Sequence, residues 1–109
     1  MSNRHILMEA NKTLSEGHYE QFIHYCSEDM KWKNVGESTF NGKEEILGYI
    51  SSAYDGLTFK TENYIEDKDF VVETGQIVFE KNGGSVKSSF CDVWNFKDGV
   101  IRQVTSFVI

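Results

Sequence analysis

The chain has 109 residues, 39% of them hydrophobic, with two Trp, five Tyr and eight Phe, which fits one domain over residues 1–109 with a modest, aromatic-rich core. Seventeen acidic against eleven basic residues leave a net charge of −6, and the Lys and Arg are scattered, so neither nucleic acid nor an anionic membrane is an expected partner. No apolar run approaches the ~20 residues of a membrane span, and the amphipathic start lacks the basic, apolar, small-residue order of a secretory signal, so a cytoplasmic location is expected.

Ile6, Leu7, Ala10, Thr13 and Leu14 recur at helical spacing, which predicts a helix over residues 3–16, ended by Gly17 in a left-handed cap. Tyr19, Phe22, Ile23 and Cys26 continue at i, i+3, i+4, i+7 and predict a second helix over 18–27. Residues 29–35 alternate as a half-buried strand whose inner face carries Met30, Trp32 and Asn34. Residues 36–40 read as a loop. Asn41 then supplies a helix cap, with Glu44 placed to close a capping box, and a third helix follows with the stripe Ile46, Leu47, Tyr49, Ile50, Ala53.

Beyond the Asp55-Gly56 turn, residues 57–66 alternate with Leu57, Phe59, Thr61, Asn63 and Ile65 on one face. Residues 70–81 are β-rich, but Phe70/Val72 and Ile77/Phe79 are out of phase, which predicts a bulge at Gly75. Asn82-Gly83-Gly84 signals a hairpin, and residues 83–109 read as two long strands around a Lys97-Asp98-Gly99 turn, giving four long antiparallel strands in all. Val86, Ser88, Phe90, Asp92, Trp94 and Phe96 share one strand face. Asp92 is an acid between two aromatics on that buried face, where carboxylates are rare unless paired or used.

The order helix, helix, short strand, helix, then long strands defines an α+β class, helices packed on one face of a curved sheet. Three stretches, LSEGHYEQFIHYCSEDMKW, FNGKEEILGYI and FCDVWNFKDGVIRQVTSF, resemble the nuclear-transport-factor-2-like superfamily in its SnoaL-like and ketosteroid-isomerase-like branch, over nearly the whole chain. That resemblance implies a cone-shaped, cystatin-like roll whose three helices and mixed or antiparallel sheet enclose a pocket. In the isomerase branch an acid projects into the pocket two residues before an aromatic, which matches Asp92 before Trp94. Asn34 falls where the branch places its general base, and Ala10 where it places a tyrosine donor. An amide cannot accept the proton, so steroid isomerisation is expected to be absent or very slow.

Asp92 and Asn34 are therefore the candidate chemical residues, with Trp32, Phe90, Trp94, Phe22 and Tyr54 as candidate pocket residues. Desolvation between Phe90 and Trp94 favours a protonated Asp92 able to donate to a ligand carbonyl. The competing reading makes Asp92 a structural acid satisfied by backbone, a hydroxyl or water, and the aromatics plain core. His5, His18 and His24 lack i, i+4 pairing, so no metal is expected, and no cofactor either. Cys26 and Cys91 read as reduced, small core hydrophobes. Two functions stay open: an isomerase-, cyclase- or dehydratase-like enzyme on a small hydrophobic carbonyl compound, or a non-catalytic binding or assembly module. A homodimer through the outer sheet face, which carries Lys87, Ser89, Cys91, Val93 and Asn95, is expected in either case.

Overall fold

The computed structural model describes residues 2–109, the side chain of Lys81 excepted. The Ser2 hydroxyl accepts from the His5 N–H at 3.1 Å and starts α1 (Asn3–Ser15), an arrangement that satisfies one of the free donors at a helix N-terminus. At the other end Gly17 takes φ 79°, its N–H reaching Leu14 O at 3.2 Å and the His18 N–H reaching Thr13 O at 2.9 Å. This paired closure is the Schellman motif, and it turns the chain sharply into α2 (Tyr19–Ile23).

The second helix is shorter than the predicted 18–27. The sheet recruits the chain first: the Ile101 N–H donates to Tyr25 O at 2.8 Å, and Cys26 already opens β1 (Cys26–Asn34). Cys26 still reaches the core, as its spacing implied, while Met30 and Trp32 follow it there on alternate strand positions. The predicted loop at 36–40 contains the start of a strand, β2 (Thr39–Asn41), paired antiparallel to β1 with Phe40 opposite Trp32. Three partly exposed residues leave little periodicity to find.

The third helix is α3 (Gly42–Ala53). Its capping box is half built and by a different residue: the Glu45 carboxylate, one position beyond the expected Glu44, accepts the Asn41 N–H at 3.0 Å, while the Asn41 side chain makes no cap. Glu44 and Glu45 both suit the positive end of the helix. Ile46 and Ile50 are buried beneath.

Four long strands complete the domain: β3 (Leu57–Asp67), β4 (Phe70–Lys81), β5 (Gly84–Lys97) and β6 (Val100–Val108). The six-stranded sheet runs β2-β1-β6-β5-β4-β3, with β1 and β6 parallel and every other pair antiparallel. Asn82-Gly83 and Asp98-Gly99 turn the last two hairpins with φ between 51° and 79° at each residue, the left-handed pair that matches strand twist. The sheet is open, and its covered face meets the helices around Leu7, Phe22, Trp32, Ile46, Val71 and Trp94.

The predicted bulge exists on the neighbouring strand. β4 pairs with β5 without a shift from Phe70 opposite Asn95 to Lys81 opposite Gly84, whereas in β3 Thr61 faces Gly75 and Asn63 faces Thr74, leaving Glu62 as the extra residue. Two faces change as a result. Past the bulge Tyr64, not Asn63 or Ile65, turns inward, and Ile65 is 59% exposed. In β4 the inner row is Val71, Glu73, Gly75, Ile77 and Phe79, so Phe70 and Val72 lie outside and no break in phase occurs. Gly75 is crowded by both neighbouring strands: a Cβ there would sit 2.2 Å from the Lys60 carbonyl oxygen of β3 and 2.8 Å from Phe90 Cε1 of β5.

Candidate functional site

Alternation along β5 buries Phe90, Asp92, Trp94 and Phe96 in one row. The β4 register sets Gly75 opposite Phe90, Glu73 opposite Asp92 and Val71 opposite Trp94. Two acids thus face each other across adjacent strands on the covered side of the sheet, Glu73 at 1% exposure and Asp92 at 7%. Both line a cavity closed by Asn11 and Leu14 of α1, by Tyr54 just after α3, and by Phe59, Phe90 and Trp94 from the sheet. It measures ≈ 20 Å³ to the centre of a water-sized sphere, room for about one water. A larger occupant requires a wall side chain to move.

Glu73 is fully engaged. Its Oε1 accepts the Trp94 indole N–H at 2.9 Å, and its Oε2 accepts Asn11 Nδ2 at 3.0 Å and the Thr61 hydroxyl at 2.5 Å. Asn11 also donates to the Tyr64 hydroxyl at 3.1 Å, so α1 is pinned to the sheet through this one amide. Burial pushes the Glu73 carboxyl above its usual range, against the pull of the Thr61, Asn11 and Trp94 hydrogen bonds.

Asp92 is the opposite case. Its Oδ1 is buried and meets no hydrogen-bond partner among the described residues. Burial lifts its carboxyl to about 7, with the Ser106 hydroxyl opposing and the neighbouring Glu73 charge adding to the rise. Among the described residues no Lys, Arg or His lines the cavity, so none of them offsets either acid. Tyr54 beside them is raised well above the ordinary tyrosine value, first by burial and then by the charge on Asp92, which keeps its hydroxyl a donor. Such a wall offers a carboxyl raised toward neutrality, a phenol and aromatic faces.

Residues 8–104 match the SnoaL-like domain. The chain belongs to the SnoaL-like family. Among curated proteins none matches it significantly in sequence. In structure it is similar to an NTF2-like protein of unknown function from Cytophaga hutchinsonii, at TM-score 0.83 and 18% identity over 99% of this chain and 100% of that one. It is similar also to SalBIII, an epoxide hydrolase/cyclase-like enzyme in pyran ring formation of the polyether salinomycin, at TM-score 0.88 and 18% identity over 98% and 90%. An LEH-like epoxide hydrolase from M. tuberculosis superposes at TM-score 0.85 and 16% identity over 98% and 82%. At these identities the likeness is one of fold.

Within this SnoaL-like fold the sequence-predicted residues separate into layers. Asp92, Phe90, Trp94 and Tyr54 meet on the cavity wall. Phe22 and Trp32 stand one layer behind, Phe22 with ring centroids 6.2 Å from both Trp32 and Trp94, and Trp32 at 5.8 Å from Trp94 and 6.2 Å from Tyr54, all edge to face. Asn34 does not line the cavity. Its Oδ1 accepts the Trp32 indole N–H at 3.1 Å. Ala10 is buried without a group to donate. Cys91 is half-buried on the outer face rather than in the core, and both cysteines are free. Among the described residues no cluster of three or more His, Cys, Asp or Glu side chains is arranged to hold a metal ion.

Glu73 and Asn11 are the site residues that sequence reasoning missed in this SnoaL-like chain. The signal for Glu73 was present: the alternation of Ile77 and Phe79, carried back by twos, passes through Gly75 to Glu73 and Val71. Phasing the strand on the bulky Phe70 and Val72 instead hid it. Asn11 follows Ala10 on a helix stripe, and only its partner across the core marks it as other than a surface amide.

Proposed function

We propose that this protein binds a small, largely apolar molecule through one oxygen acceptor, with Asp92 as the neutral O–H donor. The observation that carries the reading is the Oδ1 of Asp92, buried on the cavity wall with no hydrogen-bond partner and no lining cation among the described residues. A buried polar atom left without a partner costs ~1 to 3 kcal/mol, a cost that a ligand oxygen recovers. Carbonyl and epoxide oxygens both accept such a bond, and two of the similar structures are an epoxide hydrolase/cyclase-like enzyme and an epoxide hydrolase. If chemistry follows binding, it is of the acid-assisted isomerase, cyclase or dehydratase kind, with Asp92 donating to the oxygen that gains charge. Asn34, bonded to Trp32 and away from the cavity, contributes no base.

The test is a fluorescence titration with acetophenone, an apolar aromatic ketone, read from Trp94 and Trp32. Wild type should show a saturable change, and Asp92→Leu should bind roughly 3- to 10-fold more weakly, the worth of one neutral hydrogen bond. Equal binding by both proteins would remove Asp92 from the ligand site.

A second reading, compatible with the first, is a homodimer through the outer sheet face. Phe70 and Phe107 are 47% and 42% exposed there, on either side of half-buried Val72, Cys91 and Val93. A sheet face of mixed polarity with apolar side chains at its centre and no helices over it suits a second copy of the chain. Sedimentation at micromolar concentration should give a dimer; a monomer alone would dismiss this reading.

A further inference from the structure

Glu73 and Asp92 share a cross-strand pair and a cavity wall, yet their surroundings treat them unequally. The Trp94 indole N–H and the Asn11 amide N–H can only donate, and each ends on a different oxygen of Glu73. A proton on Glu73 would weaken these bonds, which are stronger to a carboxylate than to a neutral acid. Thr61 adds a third bond, its hydroxyl hydrogen free to point at Oε2. Asp92 has one oxygen with no partner among the described residues and the Ser106 hydroxyl opposite it on β6.

Among the described residues the remaining neighbours offer no positive charge. From α1 comes Asn11 and from β3 Thr61 and Tyr64; from α3 and its end come Tyr49 and Tyr54, both kept protonated by burial. Two carboxylates side by side in a water-poor wall do not both ionise without a cation. The one negative charge belongs where the donors are.

We infer that Glu73 is a positioning residue: held as the single anion of the site by Trp94, Asn11 and Thr61, it obliges Asp92 to keep its proton and present an O–H to the ligand oxygen. The inference rests on the ligand-binding reading for its purpose but not for its test. Glu73 touches no ligand in this scheme; it acts through Asp92.

The experiment is a ¹³C-carboxyl NMR titration of wild type and of Glu73→Gln, which removes the charge and keeps the shape. In wild type Glu73 should ionise first and Asp92 last. In Glu73→Gln the Asp92 midpoint should fall by about 1 pH unit or more, as expected when a neighbouring like charge is removed, and acetophenone binding should be lost at a correspondingly lower pH. Asp92 ionising before Glu73 in wild type, or an unmoved Asp92 midpoint in a folded Glu73→Gln, would overturn the inference. Should Glu73→Gln fail to fold, the order of ionisation in wild type decides alone. A midpoint that moves while acetophenone binding ignores pH would uphold Glu73 as the charge holder and overturn the ligand reading instead.

Discussion

The indole N–H of Trp94 is bonded to Glu73 across the strand pair at 2.9 Å, and not to Asp92, two residues back in its own row. That choice divides the site. It gives Glu73 a partner for each oxygen and leaves Asp92 with a buried oxygen that no described residue satisfies. A core built for stability alone would put an apolar group at Asp92.

Asp92→Leu should therefore hold or raise the melting temperature at pH 8, because an incompletely satisfied polar group gives way to apolar filling. Differential scanning fluorimetry checks it. A fall of several degrees would mean that Asp92 holds up the fold, since ~1 kcal/mol moves a domain of this size by ~4 °C or more.

Stability should depend on pH in a direction set by the same group. The folded Asp92 carboxyl stands at about 7 against an ordinary 3.8, so the native state holds this proton more tightly than the unfolded chain does. Its stabilising effect is complete below about pH 4 and is lost as pH climbs through about 7. Glu73, also raised, acts in the same sense. Urea unfolding should show stability declining over that window by on the order of a few kcal/mol, and Asp92→Asn should flatten the decline. A rise in stability from pH 4 to 7, unchanged in Asp92→Asn, would contradict the assignment.

Gly75→Ala should be among the most damaging substitutions on the sheet. The nearest atom to the new methyl is a backbone oxygen, that of Lys60, which cannot rotate aside. The cost should reach or exceed the ~1 to 3 kcal/mol typical of overpacking. Trimming the ring with Phe90→Ala should give no rescue in the double variant, measured by chemical denaturation, because the Lys60 contact remains.

The two thiols should react very differently. Burial pushes the Cys26 thiol up to about 12, so it stays protonated and inert in the native state. Cys91, half-buried on the outer face opposite Phe107, should take up Ellman's reagent in the folded protein, and more slowly at higher protein concentration if that face pairs with a second copy. Mass spectrometry of the modified cysteine identifies the site. Equal labelling of both, or a rate for Cys91 that ignores concentration, would count against the burial of Cys26 and the dimer respectively.

Much of the fold was legible because its periodicities are long and locally consistent. Leu7 to Leu14 has the 3.6-residue stripe, and the Phe90 to Phe96 alternation placed Asp92 inside without further help. What escaped was set by partners distant in sequence. The length of α2 is decided by β6, whose Ile101 claims the carbonyl of Tyr25. The bulge moved from Gly75 to Glu62 because a glycine without a side chain marks where strands close, whereas the extra residue sits on the strand that must detour. The same misplacement concealed Glu73, so half of the acid pair was lost to a phase error of one residue. Asn34 keeps its predicted strand position but spends its carbonyl on Trp32 two residues away, a local contact that strand alternation does not reveal.

β6 pairs with both β1 and β5, so a strand made long after β1 is an interior one, with Trp32 directly opposite Val104. Some 70 residues separate that pair, and at roughly 5 to 20 residues per second of synthesis β1 waits on the order of 4 to 14 s for its partner. During that interval Met30 and Trp32 have the helices and the three-residue β2 beside them but not the long strands. The inner edge of β1 is thus completed only when residues 100–108 arrive.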